Sequence, residues 1–189
     1  MRRGSGHAVL LLSGSRPRGQ GALVLDPRFG AFFWGKLAAN VGIWIFNVAA
    51  VLLVYESTRS PALVGLVSVA QFVPQIFLVA ASGAAADRGD HKRQLLAGRV
   101  LCLVGSATVA VGLLVDDSSL PVWVVLVAAL TVGLGFTVGG PAMQALLPTL
   151  VREGEVPQAV ALDNFSFAVG RAAGPMLGGL VAATFGLLW

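Results

Sequence analysis

The chain has 189 residues, 56% hydrophobic and only 12% charged, with a mean hydropathy of +0.82. A soluble domain of this size is nearer about one-quarter charged and could not hide so much apolar surface, so the composition points to an all-α integral membrane protein and away from a soluble enzyme. The net charge of +4 does not indicate nucleic acid, because the basic residues lie in an N-terminal tail and in links between apolar runs.

Residues 1–28 read as a polar cytoplasmic tail without stable structure. Arg2 and Arg3 precede the run Ala8-Val9-Leu10-Leu11-Leu12, which is too short for a signal-peptide core. A spanning helix needs about 20 apolar residues, and five segments qualify, near 31–54, 62–86, 95–115, 121–140 and 163–189. Glu56 to Pro61 turns the chain between the first two, and Pro74 lies inside the second. The second and third are joined by Gly83 to Arg93, where Asp87, Arg88, Asp90, His91, Lys92 and Arg93 crowd together. Such a cluster cannot sit in hydrocarbon. Asp116-Asp117-Ser118-Ser119 ends the third span, Pro121 opens the fourth, and a longer link over 141–158 carries Arg152, Glu153 and Glu155.

Lysine and arginine set the orientation. With the N-terminus in the cytoplasm, the inner side holds Arg2, Arg3, Arg16, Arg18, Arg28, Arg88, Lys92, Arg93, Arg99 and Arg152, and the outer side only Arg59. The expectation is a multi-pass protein of the plasma (inner) membrane. An odd number of spans and an apolar run reaching Trp189 lead to the further expectation of an N-terminal fragment.

No catalytic constellation appears. There is no phosphate loop and no H-E-x-x-H, and His7 and His91 have no neighbouring ligands, so neither an enzyme, a metal site nor a cofactor is expected. Cys102 is the only cysteine and reads as a small packing residue.

What remains is helix architecture with polar groups at membrane depth. On the fifth span Gly170, Gly174 and Gly178 recur every four residues, which lets another helix approach closely, and Pro175 can bend the helix. They read either as plain close packing or as a bent gating helix. Arg171 either faces a partner or wet cavity, or snorkels to the inner headgroups. Lys36, Asn40 and Asn47 share one face of the first span, and Gln71 and Gln75 share one of the second. These amides either line a solute path or bond between helices. Gly135 and Gly139 look like packing.

The sequence resembles the first half of a major facilitator superfamily transporter. That family's link between helices two and three has the pattern G-x-x-x-[DE]-[RK]-x-G-x-[RK]-[RK]. Gly83, Asp87, Arg88, Lys92 and Arg93 match it, while Asp90 replaces the second glycine and leaves the tightness of the turn open. The form D-R-x-D-x-K-R resembles the siderophore- and drug-exporter branch. The antiporter signature G-x8-G-x3-G-P-x2-G-G is matched by Gly170, Gly174, Pro175, Gly178 and Gly179, with Ala161 for its first glycine. The arginine of a third motif, tied to proton coupling, would fall at Ala129, so the coupling ion stays open unless Arg171 or Asp163 substitutes.

The resemblance implies five helices of a six-helix half built from inverted three-helix repeats, working by alternating access against a second half absent from this chain. It implies a secondary-active exporter of a small, siderophore- or drug-like molecule coupled to a proton or another ion, and it favours the gating reading of the fifth span. Asp87 and Arg88 would form a latch at the inner gate, with Arg88, Lys92 and Arg93 near anionic headgroups. This stretch alone should not transport. The alternatives are a five-helix scaffold subunit without transport and an importer of the same superfamily. Substrate, coupling ion and oligomeric state are not readable from the residues.

Overall fold

The structure is a computed structural model that describes residues 20–115, 120–152 and 154–184. The tail through residue 19, the stretch Asp116 to Ser119, Glu153 and Trp189 lie outside the described residues.

Among the described residues six α-helices make up the fold and there is no strand. They are α1 (Gln20–Val24), α2 (Phe29–Thr58), α3 (Pro61–Arg88), α4 (His91–Val115), α5 (Val122–Leu146) and α6 (Val156–Thr184), with a 3₁₀ turn, Leu147–Leu150, after α5. Among the described residues four helices are long and apolar enough to cross a membrane: α2, α3, α4, and α5 with its 3₁₀ extension. α6 has 29 residues but carries Asp163 and Arg171, and it lies along α2.

The helices outrun the apolar segments that mark them. At about 1.5 Å per residue, the 30 residues of α2 reach about 45 Å, well beyond a hydrocarbon core of about 30 Å. Polar residues at the ends of the spans are therefore helical too, and Asp87 and Arg88 form the last turn of α3. Two expectations are corrected in the same way. α6 begins at Val156, not near Asp163, and the long link from 141 shrinks because α5 continues through Pro141.

Proline usually ends a helix because it removes a donor and crowds the carbonyl four residues back. In α5 the carbonyl released by Pro141 is that of Thr137, and it accepts the Ser82 hydroxyl from α3 at 2.6 Å. The Gln94 side-chain amide on α4 donates to Val138 O at 3.0 Å and Ser82 O at 2.9 Å. The break is satisfied from two neighbouring helices, so α5 runs on.

The tail expectation also needs correcting at its end. Leu23 of α1 is fully buried with Phe29, Phe33, Leu147, Ala159 and Leu162. Asp26 then caps α2, its Oδ1 accepting from the N–H groups of Arg28 at 2.9 Å and Phe29 at 3.2 Å. Burial of Leu23, together with this cap, orders a segment that composition alone marks as loose.

α5 is the central helix, packed between α3 and α4, while α2 pairs with α6. Glycines set both kinds of contact. Gly174 faces Trp44, and a Cβ on it would run into the Trp44 Cβ; a Cβ on Gly135 would lie 2.6 Å from the Cys102 sulfur and from the Gly98 carbonyl. A second apolar cluster, including Phe46, Val54, Val67, Val109, Val125 and Val132, fills the opposite end of the bundle. Between the two clusters lies the cavity described next.

Candidate functional site

The middle of the bundle holds a cavity of about 240 Å³. Asn40 and Asn47 of α2 and Gln71 and Gln75 of α3 line it together, with Thr137 of α5. Asn40 and Asn47 stand 11 and 18 residues beyond Phe29, about 16 and 27 Å along α2, so the amides bracket the helix midpoint. Aromatic faces complete the wall: Trp44, Phe72, Phe136 and Phe167. The lining has no ionised group. It offers hydrogen bonding from four carboxamides on an apolar, aromatic surface, the usual character of a small-molecule site. Asn40 is buried and its Nδ2 has no acceptor.

One turn from Asn40 towards the α3–α4 link, Lys36 forms a buried ion pair with Asp163 of α6. Each stands seven residues inside its helix, about 10 Å from the start. Asp163 could not pair at this depth if α6 began there. Ser166, fully buried, donates to the Asp163 backbone carbonyl at 2.8 Å. The cavity thus has an apolar cluster at either end and this ion pair on the side of the link.

Arg171 does not line the cavity. It is exposed, with its guanidinium 5.9 Å from the centre of the Trp44 ring, which in turn meets Phe167 edge-on. Arg171 lies 15 residues beyond Val156, about 22 Å, too deep to snorkel to that end of the helix. Its cation rests on an aromatic face that forms part of the cavity wall.

Gly170, Gly174 and Gly178 all press against α2, at Asn40, Trp44 and Val48, while a Cβ on Gly179 would enter open space among the described residues. Pro175 is part-buried within α6. The glycine row therefore seats α6 on the stretch of α2 that presents Asn40 and Trp44 to the cavity.

At the α3–α4 link, only Gly89 and Asp90 separate the two helices. Asp90 Oδ1 accepts from the N–H groups of Lys92 at 2.9 Å and Arg93 at 3.3 Å, capping α4, which is how the turn stays tight without the second glycine. The Arg93 N–H, then that of Lys92, holds the Asp90 carboxyl below its ordinary value. Arg93 also approaches Asp90 Oδ2 at 3.5 Å. Gly83 has open space around it, and Asp87, Arg88 and Lys92 are exposed with no side-chain partner among the described residues.

Sequence reasoning missed Ser82, Gln94 and Arg99. Ser82 and Gln94 are single polar residues beside a charged link, and nothing in their spacing marks them out. Arg99 was counted with the inner loop charges, yet it sits eight residues inside α4 and contacts Met143 Sδ at 3.3 Å. Its place within an apolar run was the available signal. Among the described residues no group of three His, Cys, Asp or Glu could hold a metal.

Residues 24–189 match the family model described as transmembrane secretion effector. The chain belongs to this family of the major facilitator superfamily. Its curated relatives include proteins named enterobactin exporter EntS, at 30% identity over 168 residues in Shigella boydii serotype 4 and 29% in Salmonella typhi and Escherichia coli O1:K1. Each alignment covers 88% of this chain and 40% of the relative. The chain thus spans well under half the length of these exporters. No solved structure matches it significantly. Membership in this transmembrane secretion effector family makes it a multi-pass inner-membrane protein of a transport superfamily.

Proposed function

We propose that this chain is the N-terminal portion of a secondary-active exporter of small molecules, siderophore- or drug-like, working by alternating access. The observation that carries this reading is the mid-depth cavity, where carboxamides from two helices and aromatic rings from four meet between two apolar clusters. The names of its relatives supply the direction. In this reading Asn40, Asn47, Gln71 and Gln75 contact the solute, and a second half of the transporter closes the open side. The N-terminus and the α3–α4 link lie in the cytoplasm.

The Lys36–Asp163 pair is the coupling element. An ion that neutralises Asp163, a proton included, releases Lys36 and loosens α2 from α6 at the point where the glycine row and Pro175 allow movement. Arg171 biases the cavity towards solutes carrying negative charge. Asp87 and Arg88, without a side-chain partner among the described residues, latch the cytoplasmic gate against the other half.

Export by the full-length protein tests the reading. In inverted vesicles the Asn47→Leu/Gln71→Leu variant should insert normally and lose at least about tenfold in transport, the scale expected when a polar site loses its partners. Asp87→Asn should also lower transport, through the gate. Normal transport by the cavity variant would remove the cavity from the pathway, and normal transport by Asp87→Asn would remove the latch.

A further inference from the structure

Arg99 stands about 12 Å inside α4, and a guanidinium at that depth needs a partner. Asp163 is already paired with Lys36, so its carboxylate is not available to Arg99. Its one hydrogen-bond contact among the described residues is the Met143 thioether, a weak neutral acceptor.

Arg99 lines a small space between α2, α4 and α5, and so does Asn40, only 5% exposed, whose Nδ2 has no acceptor. Both side chains line one place, Asn40 with a buried Nδ2 that has no acceptor and Arg99 with a half-buried guanidinium, and among the described residues no side-chain carboxylate lines it. What fits there must accept hydrogen bonds and carry negative charge. The space is about 30 Å³, walled by Gly98, Gly135 and Gly139, where the backbones of α4 and α5 meet. That is room for one or two water-sized particles, too little for phosphate or an organic anion. Water would satisfy Asn40 but would leave the charge of Arg99 uncompensated. A route in exists, because Arg99 also lines a groove of about 290 Å³ between α2 and α4.

We propose that Asn40 and Arg99 hold a single chloride-sized inorganic anion between α2, α4 and α5. Arg99 supplies the charge, Asn40 donates one directed hydrogen bond, and the glycine backbones exclude larger anions. The ion is structural to this bundle and separate from the solute of the larger cavity, whose wall Asn40 also lines. It links α2, which otherwise touches α4 only lightly, to the α4–α5 pair.

The test is thermal unfolding of the full chain in nanodiscs as chloride replaces gluconate at constant ionic strength. Wild type should gain stability saturably with chloride. Arg99→Gln should show no chloride dependence, and Asn40→Ala, which keeps the Cβ that Gly170 packs against, should need at least about tenfold more chloride. Arg99→Lys keeps the charge and should retain a weakened response, which covers the case in which Arg99→Gln fails to fold. A wild type indifferent to chloride overturns the proposal. So does an Arg99→Lys or Asn40→Ala response equal to that of wild type, because the ion would then bind elsewhere.

Discussion

Lys36 and Asp163 meet inside the span, where neither charge could stand alone. Such a pair adds little net stability over apolar residues of similar size, but removing one partner strands the other. Lys36→Met should therefore destabilise the bundle by about 3–5 kcal/mol, and Lys36→Met/Asp163→Leu should regain most of that. Unfolding in nanodiscs reads the first effect, and export by the full-length protein reads the second. A coupling pair leaves the double variant stable and inactive, whereas recovery of export along with stability would reduce the pair to packing. Lys36 is conspicuous in the sequence as a costly charge in an apolar run, and Asp163 as an acidic residue at the start of one. Their partnership is not, because 127 positions separate them. Taking Asp163 as the first residue of its helix also puts it at the membrane surface, where it needs no partner. The amides were easier to read: a spacing of four or seven on one helix fixes a shared face whatever else the chain does, and Asn40, Asn47, Gln71 and Gln75 line one cavity.

For the helices as elements, the informative feature is a break that does not occur. α5 passes through Pro141 because Ser82 donates to the Thr137 carbonyl, which the missing N–H would otherwise have engaged. Ser82→Ala should leave that carbonyl unsatisfied in a buried place and lower stability by about 1–3 kcal/mol. In Ser82→Ala/Pro141→Ala the new backbone N–H at position 141 takes over, so the second substitution should restore most of the loss. A double-mutant cycle in a denaturant titration measures this coupling, and additive losses would show that Ser82 does not compensate for the proline. The sequence could not announce the arrangement. A proline between an apolar run and a charged segment reads as a helix end, and its remedy lies 55 residues away on α3. Helix identity was legible because apolar runs of spanning length have few other solutions in a membrane. Helix ends were not, since hydropathy marks the part in hydrocarbon and the backbone stays helical beyond it. The row Gly170, Gly174 and Gly178 signalled a close contact, but its partner, α2, became evident only in three dimensions.

Across the whole molecule, orientation rests on how basic residues divide between the two ends. The structure changes that division. Arg99 moves from the loops into the span, and Arg59, alone at the opposite end, is matched by Glu56 at 3.1 Å. Arg28, Arg88, Lys92, Arg93 and Arg152 remain, all at the end that carries the α3–α4 link, and of these Arg93 is partly offset by Asp90. Basic residues beside a span resist translocation and meet anionic headgroups, each worth on the order of 1 kcal/mol near the surface, so the bias stays strong. It predicts that a cysteine replacing His91 reacts with a membrane-impermeant thiol reagent only after cells are opened, whereas Ser60→Cys reacts in intact cells. Cys102 is buried against α5 and should contribute little background. The reverse labelling pattern would invert the bundle and with it the cytoplasmic gate assigned to Asp87. Replacing Arg88, Lys92 and Arg93 with glutamine in the His91→Cys background removes much of the asymmetry next to the reporter. If these charges hold the link inside, part of the protein should then label from outside. Unchanged labelling would assign orientation to Arg28, Arg152 and the preceding tail instead, leaving the exposed charges of the link available to the gate alone.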